Sequence, residues 1–416
     1  MGRCLQILAI ALFLVAGAYV GKGYLVYFHQ HLNGLPSTIG GCDARARWRE
    51  EQYVLRGQDP YDVFLANSPK VKLLAYGAEL LSPRNESHLN HKLGLPYDVV
   101  YPPWTYGFGV LIFALPKSAL SLSYAVLMAC GLTAICIWAY RLGSEQNRWT
   151  GLLLAASSIA ISGWCGAIFT GNFPAIVVPL LIAALVSLES EMPVLAGCLL
   201  AMAMIKPSLA APFGLVLLIR GEYRAIFSGL VVGAISSAFT WIMTGVTPWW
   251  MLRQMVGVAG LNMGKGDGLV PFLVNLHLSP QTACWTAAIV GLTFALVGLL
   301  AARHQPLLIQ FAIVAFAVRL WTYHFAYDNG VMVFMIVVTG IAAVRRGTLA
   351  MWAAFVACGA TLWLPASLLD KHPVQLMQYV IWTVLACALV RRGNHWIQPK
   401  TAATADAVQT PAVLGS

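Results

Sequence analysis

Apolar runs of roughly 15–22 residues recur along almost the whole chain of 416 residues, and runs of that length suit helices that cross a hydrocarbon core of ~30 Å. No stretch between them is left that could fold as a large soluble domain. Lipid offers no partner to a backbone N–H or C=O, so only helices and closed barrels can span it. The alternating apolar and polar residues of a barrel strand are absent. The chain therefore reads as all-α, a polytopic transmembrane helical bundle. Charged residues are 10% of it, against about 25% in an ordinary soluble domain.

The sequence predicts about twelve spans, at 5–27, 119–140, 150–169, 174–188, 193–205, 209–219, 225–244, 281–301, 306–320, 331–344, 348–365 and 374–390. The fifth and sixth are short. Each arm of about thirteen residues makes only ~20 Å of helix, so 193–219 reads as a hairpin with Ile205-Lys206-Pro207-Ser208 at its tip. Arg141, Arg148, Arg220, Arg224, Arg303, Arg345, Arg346, Arg391 and Arg392 fall on one side together with the N-terminus. An excess of Lys and Arg marks the cytoplasmic side. The first apolar run continues through Phe28, which suits an uncleaved span better than a signal peptide. One integral-membrane domain, 1–395, follows from this, with 28–104 as an extracytoplasmic loop and 396–416 as a disordered cytoplasmic tail. The expected location is the cell (plasma or inner) membrane.

The net charge of +10 does not point to nucleic acid. The long loop holds eight Lys/Arg and eight Asp/Glu, and the excess sits in short loops and at the ends. The nine cysteines are scattered without a CxxC or Cys/His cluster, so the sequence carries neither a zinc pattern nor a disulfide framework. No phosphate-binding loop, G-x-S-x-G or dinucleotide fingerprint appears.

The polar residues that interrupt this pattern are the candidates for chemistry. "GGCDARARWREEQYVLRGQDPYD" (Gly40–Asp62) predicts a short surface helix with Asp43 at its start and Ala44, Trp48 and Leu55 along one stripe. Asp43 there is either an N-cap or an ionised carboxylate able to take a proton from a hydroxyl. Lys206 between two apolar arms either snorkels or holds an anion such as a lipid-linked phosphate, since Pro207 starts a new helix beside it. In "RLWTYHFAYDN", Arg319 falls inside the end of an apolar span, where an ionisable residue is a functional candidate. His324 and Asp328 are four apart and share a face if the segment is helical; the plainer alternative is an aromatic belt capped by Asp328. Gly171-Asn172 reads as a helix break. Asp43, Asp59, Asp62 and Asp98 share the outer loop and leave a divalent metal open. Asn85-Glu86-Ser87 fits a glycosylation acceptor.

Four stretches in register carry a family resemblance: "CDARARWREEQYVLRGQDPYD", "YPPWTYGFGVLIFALP", "TGNFPAIVVPLLIAAL" and "AMAMIKPSLAAPFGLVLLIRGEYRA". Together they resemble glycosyltransferase family 87, the polytopic polyprenyl-phosphate-mannose-dependent mannosyltransferases of the GT-C class. Asp43, Tyr53, Gly57, Pro60 and Tyr61 match the family's first-loop pattern, and Tyr101-Pro102-Pro103, Gly171-Asn172 and Lys206-Pro207 match three later motifs. The family's later Ser-Pro-x-x-Trp-x-His signal has its nearest counterpart in Trp321-Thr322-Tyr323-His324. The resemblance implies a GT-C-like bundle whose first outer loop forms catalytic surface helices. It implies a hexosyltransferase that moves a sugar, mannose in the family, from a polyprenyl-phosphate donor to a lipid or glycan acceptor at the extracytoplasmic face, with inversion. Asp43 would be the base; Lys206, with Arg319 and His324, would hold the donor phosphate; Tyr61, Tyr101, Asn172 and Asp328 would line the substrate pocket. A multi-pass transporter or lipid-linked sugar flippase is the alternative, although no two matching halves are visible.

Overall fold

The structure, a computed structural model, describes residues 2–32, 41–67, 90, 93, 95–96, 99–259, 266–369 and 372–397. The expected tail 396–416, Asp98 and Asn85-Glu86-Ser87 lie wholly or almost wholly outside these residues. Among the described residues all elements are helical, apart from one isolated bridge between Asp267 and His324. The first half contains α1 (Gly2–Leu32), α2 (Cys42–Val54), α3 (Pro60–Asn67), α4 (Pro103–Phe113), α5 (Lys117–Ser144), α6 (Arg148–Ile159), α7 (Gly163–Thr170), α8 (Pro174–Glu189) and α9 (Pro193–Ala203). Then come α10 (Pro207–Ala210), α11 (Gly214–Arg220), α12 (Tyr223–Thr244), α13 (Pro248–Ala259), α14 (Leu269–Asn275), α15 (Pro280–Ala301) and α16 (Leu307–Trp321). A 3-10 turn (Ala326–Met332) leads into α17 (Val333–Arg346), followed by α18 (Leu349–Trp363), α19 (Ala366–Leu369) and α20 (His372–Ile397).

Each of the twelve apolar runs forms helix, but they differ in reach. Six stretches are long and apolar enough to cross a membrane: Arg3–His29, Lys117–Ser144, Tyr223–Thr244, Pro280–Ala301, Ala326–Arg346 and Pro373–Trp396. The pair α6 and α7, bent by 54°, makes a seventh if it is one span. The chain is thus a multi-pass membrane protein with six or seven helices of spanning length, where the sequence predicts about twelve. Three of the shorter apolar helices, α8, α9 and α16, have a common cause. At 16 residues for α8 and 11 for α9, they reach only ~16–24 Å. α8 starts just after Asn172, α9 stops just before Lys206, and α16 stops at Trp321, where the polar segment 322–328 begins. Polar side chains that have to gather at one level cut the helices there.

Burial sorts the helices by their patterning. Every residue of Leu307–Leu320 and of Asp328–Val344 is buried, so these two segments form the centre of the bundle. Both are mostly apolar on every side, as an enclosed helix is, with Gln310, Arg319, Asp328, Asn329 and Thr339 as the buried polar exceptions. The outer helices α1, α12, α15 and α20 expose Leu14, Leu25, Phe227, Ile242, Trp285, Val297, Val380 and Val384 instead. Lipid is as apolar as these side chains, so close packing rather than water exclusion holds the helices together.

The surface helix α2 is the part of the long loop that positions chemistry. Its N-cap is Gly41, not Asp43, which sits in the first turn. Gly41 has φ +81°, and a Cβ there would meet the Thr170 carbonyl oxygen at 2.5 Å. Gly171, at φ +67°, ends α7 in the left-handed region, and a Cβ on it would meet Ala44 Cβ at 2.7 Å. Two glycines distant in sequence thus let the start of α2 lie against the end of α7. Trp48 and Gln52 then fasten α2 inward, donating to the carbonyls of Leu115 (3.1 Å) and Phe113 (3.1 Å). The inner face of α2 also buries Arg47, Glu50 and Glu51. Arg47 donates to Glu50, which also accepts from the Tyr106 hydroxyl. Glu51 Oε1 is buried and has no hydrogen-bond partner among the described residues. Burial, and then the neighbouring Glu50 carboxylate, push the Glu51 carboxyl well above the usual carboxylate range.

Two stability measurements follow in detergent. Gly171→Ala forces a left-handed backbone on a side chain and a clash with Ala44, and should lower stability by about 1–2 kcal/mol; an unchanged melting midpoint would refute the close approach of α2 and α7. For Glu51, the folded state binds the proton more tightly than the unfolded state, so stability falls as pH rises from the ordinary carboxylate range, about 4.3, toward the raised folded value. Glu51→Gln should therefore melt higher than the parent chain at neutral pH, with the gap closing as the pH is lowered to about 4. An equal gap at both pH values would contradict the raised value.

Candidate functional site

The motif residues converge because their helices end together. α4 begins at Pro102-Pro103: Pro102 is the extended N-cap and Pro103 the first helical residue, where the missing N–H is harmless. Next to it, Trp104 Nε1 donates to the Met204 carbonyl (2.8 Å) and Thr105 Oγ1 to the Ile205 carbonyl (3.2 Å). These are carbonyls that the end of α9 leaves without helical partners. Trp321 Nε1 donates to the Ser208 carbonyl (2.7 Å) from the other side. Three indole and hydroxyl donors therefore hold the hairpin tip that carries Lys206.

At that tip, three donor directions of the Lys206 ammonium are met. Nζ is 2.7 Å from Asn172 Oδ1, 2.5 Å from Asp328 Oδ1 and 4.7 Å from the centre of the Tyr327 ring. The side chain is buried, and a buried ammonium is tolerated only when paired. Asn172 turns the other end of its amide to the surface helix: Nδ2 donates to Asp43 Oδ2 at 2.6 Å. The amide is held by the Phe173 N–H, which donates to its Oδ1 at 2.9 Å. One asparagine thus bridges a carboxylate and an ammonium from segments 163 residues apart in sequence.

Asp328 is fixed in turn. Its Oδ2 accepts from the Phe325 N–H (3.3 Å) and lies 3.1 Å from His324 Nδ1. His324 Nε2 donates to the Val318 carbonyl at 2.5 Å. The segment around them is not α-helix, so His324 and Asp328 do not share a helix face. They meet because His324 pairs backbone with Asp267 while Asp328 caps the 3-10 turn.

These groups open on a cavity of about 530 Å³. Of the residues singled out in the sequence, Asp43, Tyr101, Asn172, Lys206 and Asp328 line it, and Arg319, His324 and Tyr61 do not. Arg319 is buried behind the wall and donates to the Phe325 carbonyl (3.4 Å). His324 supports Asp328 from the same side. Tyr61 is buried under Tyr101 and donates to its carbonyl. These three shape the wall rather than face the space.

Sequence reasoning missed Arg47, which lines the cavity together with Tyr327. Arg47 lies four residues after Asp43, which puts it on the same face of α2. That spacing was the available signal, hidden among Arg45 and Arg49. Its guanidinium sits 4.2 Å from the centre of the Tyr101 ring and pairs with Glu50. Trp104, Trp321, Tyr323, Phe325 and Tyr327 add an aromatic wall, suited to the apolar faces of a sugar ring.

A second cavity, of about 610 Å³, lies between α9, α10–α11 and α12. Its lining is almost wholly apolar, including Leu200, Leu215, Leu218, Ile226 and Leu230. Trp104 and Met204 belong to both cavities, so the polar chamber and the apolar groove share a wall. Among the described residues no three His, Cys, Asp or Glu side chains gather as metal ligands. Asp59 accepts from the Tyr61 N–H and Asp62 from Gln254 Nε2.

Neither a curated protein nor a solved structure matches the chain. A family comparison does: the matched stretch contains the Tyr101-Pro102-Pro103, Gly171-Asn172 and Lys206-Pro207 motifs and the walls of the apolar groove, while Asp43 and the 319–328 segment lie outside it. Residues 100–260 match the model of glycosyltransferase family 87, in agreement with the motif resemblance, and the match indicates a membrane glycosyltransferase with a sugar donor and an acceptor.

Proposed function

We propose that the protein transfers a sugar, mannose by family resemblance, from a polyprenyl-phosphate donor to a lipid or glycan acceptor at the extracytoplasmic face of the cell membrane, with inversion. The observation that carries this reading is the pairing of one polar chamber with one apolar groove across the shared residues Trp104 and Met204. A donor with a long hydrocarbon chain and a phosphosugar head needs such a pair, because each half must leave its own solvent.

In this reading Asp43 is the general base. Its carboxylate is half-exposed to the chamber and aimed by Asn172. It takes the proton of the acceptor hydroxyl as that oxygen forms a bond to the anomeric carbon. The bond from the anomeric carbon to the phosphate oxygen breaks, and the polyprenyl phosphate leaves with the electron pair. Negative charge grows on that oxygen, and fixed cations at its position stabilise the transition state. Lys206 supplies one, held rigidly by Asn172 and Asp328. Arg47 supplies the second, one turn along α2 from the base and platformed on Tyr101, and Glu50 offsets part of its charge as Asp328 does for Lys206. Arg319 and His324 contribute through Asp328 and the chamber wall.

Purified protein incubated with polyprenyl-phosphate mannose and extracted membrane glycans or lipids should yield a glycosylated product. Asp43→Asn should reduce transfer by roughly 10²-fold or more with an unchanged melting midpoint; full activity in that variant ends the assignment. Lys206→Met alone would strand the buried Asp328 and is expected to lose about 3–5 kcal/mol of stability. The paired variant Lys206→Gln with Asp328→Asn keeps the packing neutral and should fold yet lose transfer. Retained transfer in the pair would remove Lys206 from the mechanism.

A further inference from the structure

At the far end of the central span from Asp328, a third cavity of about 380 Å³ is lined by Arg346, Thr348, Met351, Arg392, His395 and Trp396. Three segments make it: the last turn of α17, the first turn of α18 and the last turns of α20. The backbone that carries its cationic residues is fixed at two points. Gly347, at φ +66°, turns the chain sharply after Arg346. The end of α20 is fixed by Gln305, whose Nε2 donates to the carbonyls of Leu389 (3.1 Å) and Val390 (2.8 Å).

The charges do not cancel locally. Neighbouring Arg345 takes the nearby acid, Glu145, at 3.5 Å. No carboxylate lines the cavity, and Arg346 and Arg392 have no ion-pair partner among the described residues. Two guanidinium groups that line one cavity repel each other unless an anion lies between them. Two guanidinium groups with a hydroxyl and an imidazole in one cavity supply the donor types that a phosphate group accepts from. The floor is different in kind: Trp396 is buried and Met351 lies beside it. An indole at the end of a spanning helix marks the boundary between headgroup and hydrocarbon.

We infer that this cavity binds a phosphate-bearing anion, the headgroup of an anionic phospholipid in the leaflet opposite the chamber. The apolar floor favours a lipid over free phosphate, since only a lipid brings an acyl chain to cover the half-exposed Met351. Basic pockets between helices at this level of a membrane are suited to such headgroups. The site is separate from the transfer reaction and does not depend on it.

The test uses the full-length protein purified in detergent. Its thermal midpoint and its lipid retention in native mass spectrometry are followed during titration with phosphatidylglycerol, with phosphatidylcholine and with inorganic phosphate. Phosphatidylglycerol should raise the midpoint and be retained, and phosphatidylcholine should do neither. Arg346→Gln with Arg392→Gln should weaken the phosphatidylglycerol effect by roughly tenfold or more. Arg346→Lys with Arg392→Lys keeps both charges and should preserve most of it, which separates charge from misfolding. A matching response to inorganic phosphate, lost in the same Gln variant, keeps the anion site and makes its occupant a soluble phosphate. Equal responses to the two lipids, or a phosphatidylglycerol effect that survives the Gln variant, overturns the site.

Discussion

The site depends on one amide. Asn172 faces a carboxylate with its Nδ2 and an ammonium with its Oδ1, and so fixes the distance between the two groups proposed to act on opposite sides of a sugar. An asparagine suits this position because its side chain both donates and accepts without adding charge. A second ammonium or carboxylate there would repel one of the two partners. The left-handed Gly171 immediately before it turns the chain so that the amide points back between α2 and the hairpin tip.

Membrane burial explains why so many chain segments meet at this level. A lone ammonium deep among apolar helices is costly by roughly 2.5–3.5 kcal/mol even on lenient insertion scales. Lys206 avoids this through Asp328, whose other oxygen is held by backbone and by His324. The carbonyls left at the end of α9 are taken by Trp104 and Thr105. Each polar group that enters thus requires a partner, and the partners come from helices that stop at the same depth. The short helices and the polar chamber are one consequence of the same rule.

Much of this was legible in the sequence for a simple reason. Asn172, Lys206 and Asp328 each stand at the end of an apolar run, where a polar residue is conspicuous, and Asp43 and Tyr101 stand in the loop motifs that carry the family resemblance. Burial could not be read the same way. Arg319 and His324 are just as conspicuous in the sequence, yet they face the back of the chamber wall, because the 322–328 segment leaves the helix and pairs with Asp267. Arg47 was concealed for the opposite reason: it lies in a charged helix among other arginines, and only the packing of α2 shows which one turns inward. Only six or seven of the twelve apolar runs form helices of spanning length, because hydropathy measures how apolar a run is and not whether it continues through a polar layer.

The central span shows how such a protein separates two charged regions. From Asp328 to Val344 it is fully buried and carries no charge between its ends. Asp328 stands at one end in the chamber, and Arg345 and Arg346 stand at the other beside the basic cavity. An interior of low dielectric would strengthen any charge placed between them, so an ionisable residue midway would compete with both ends for partners. Keeping that stretch free of charge separates the chamber from Arg345 and Arg346, and leaves the carboxylate of Asp328 to Lys206 and His324 beside it.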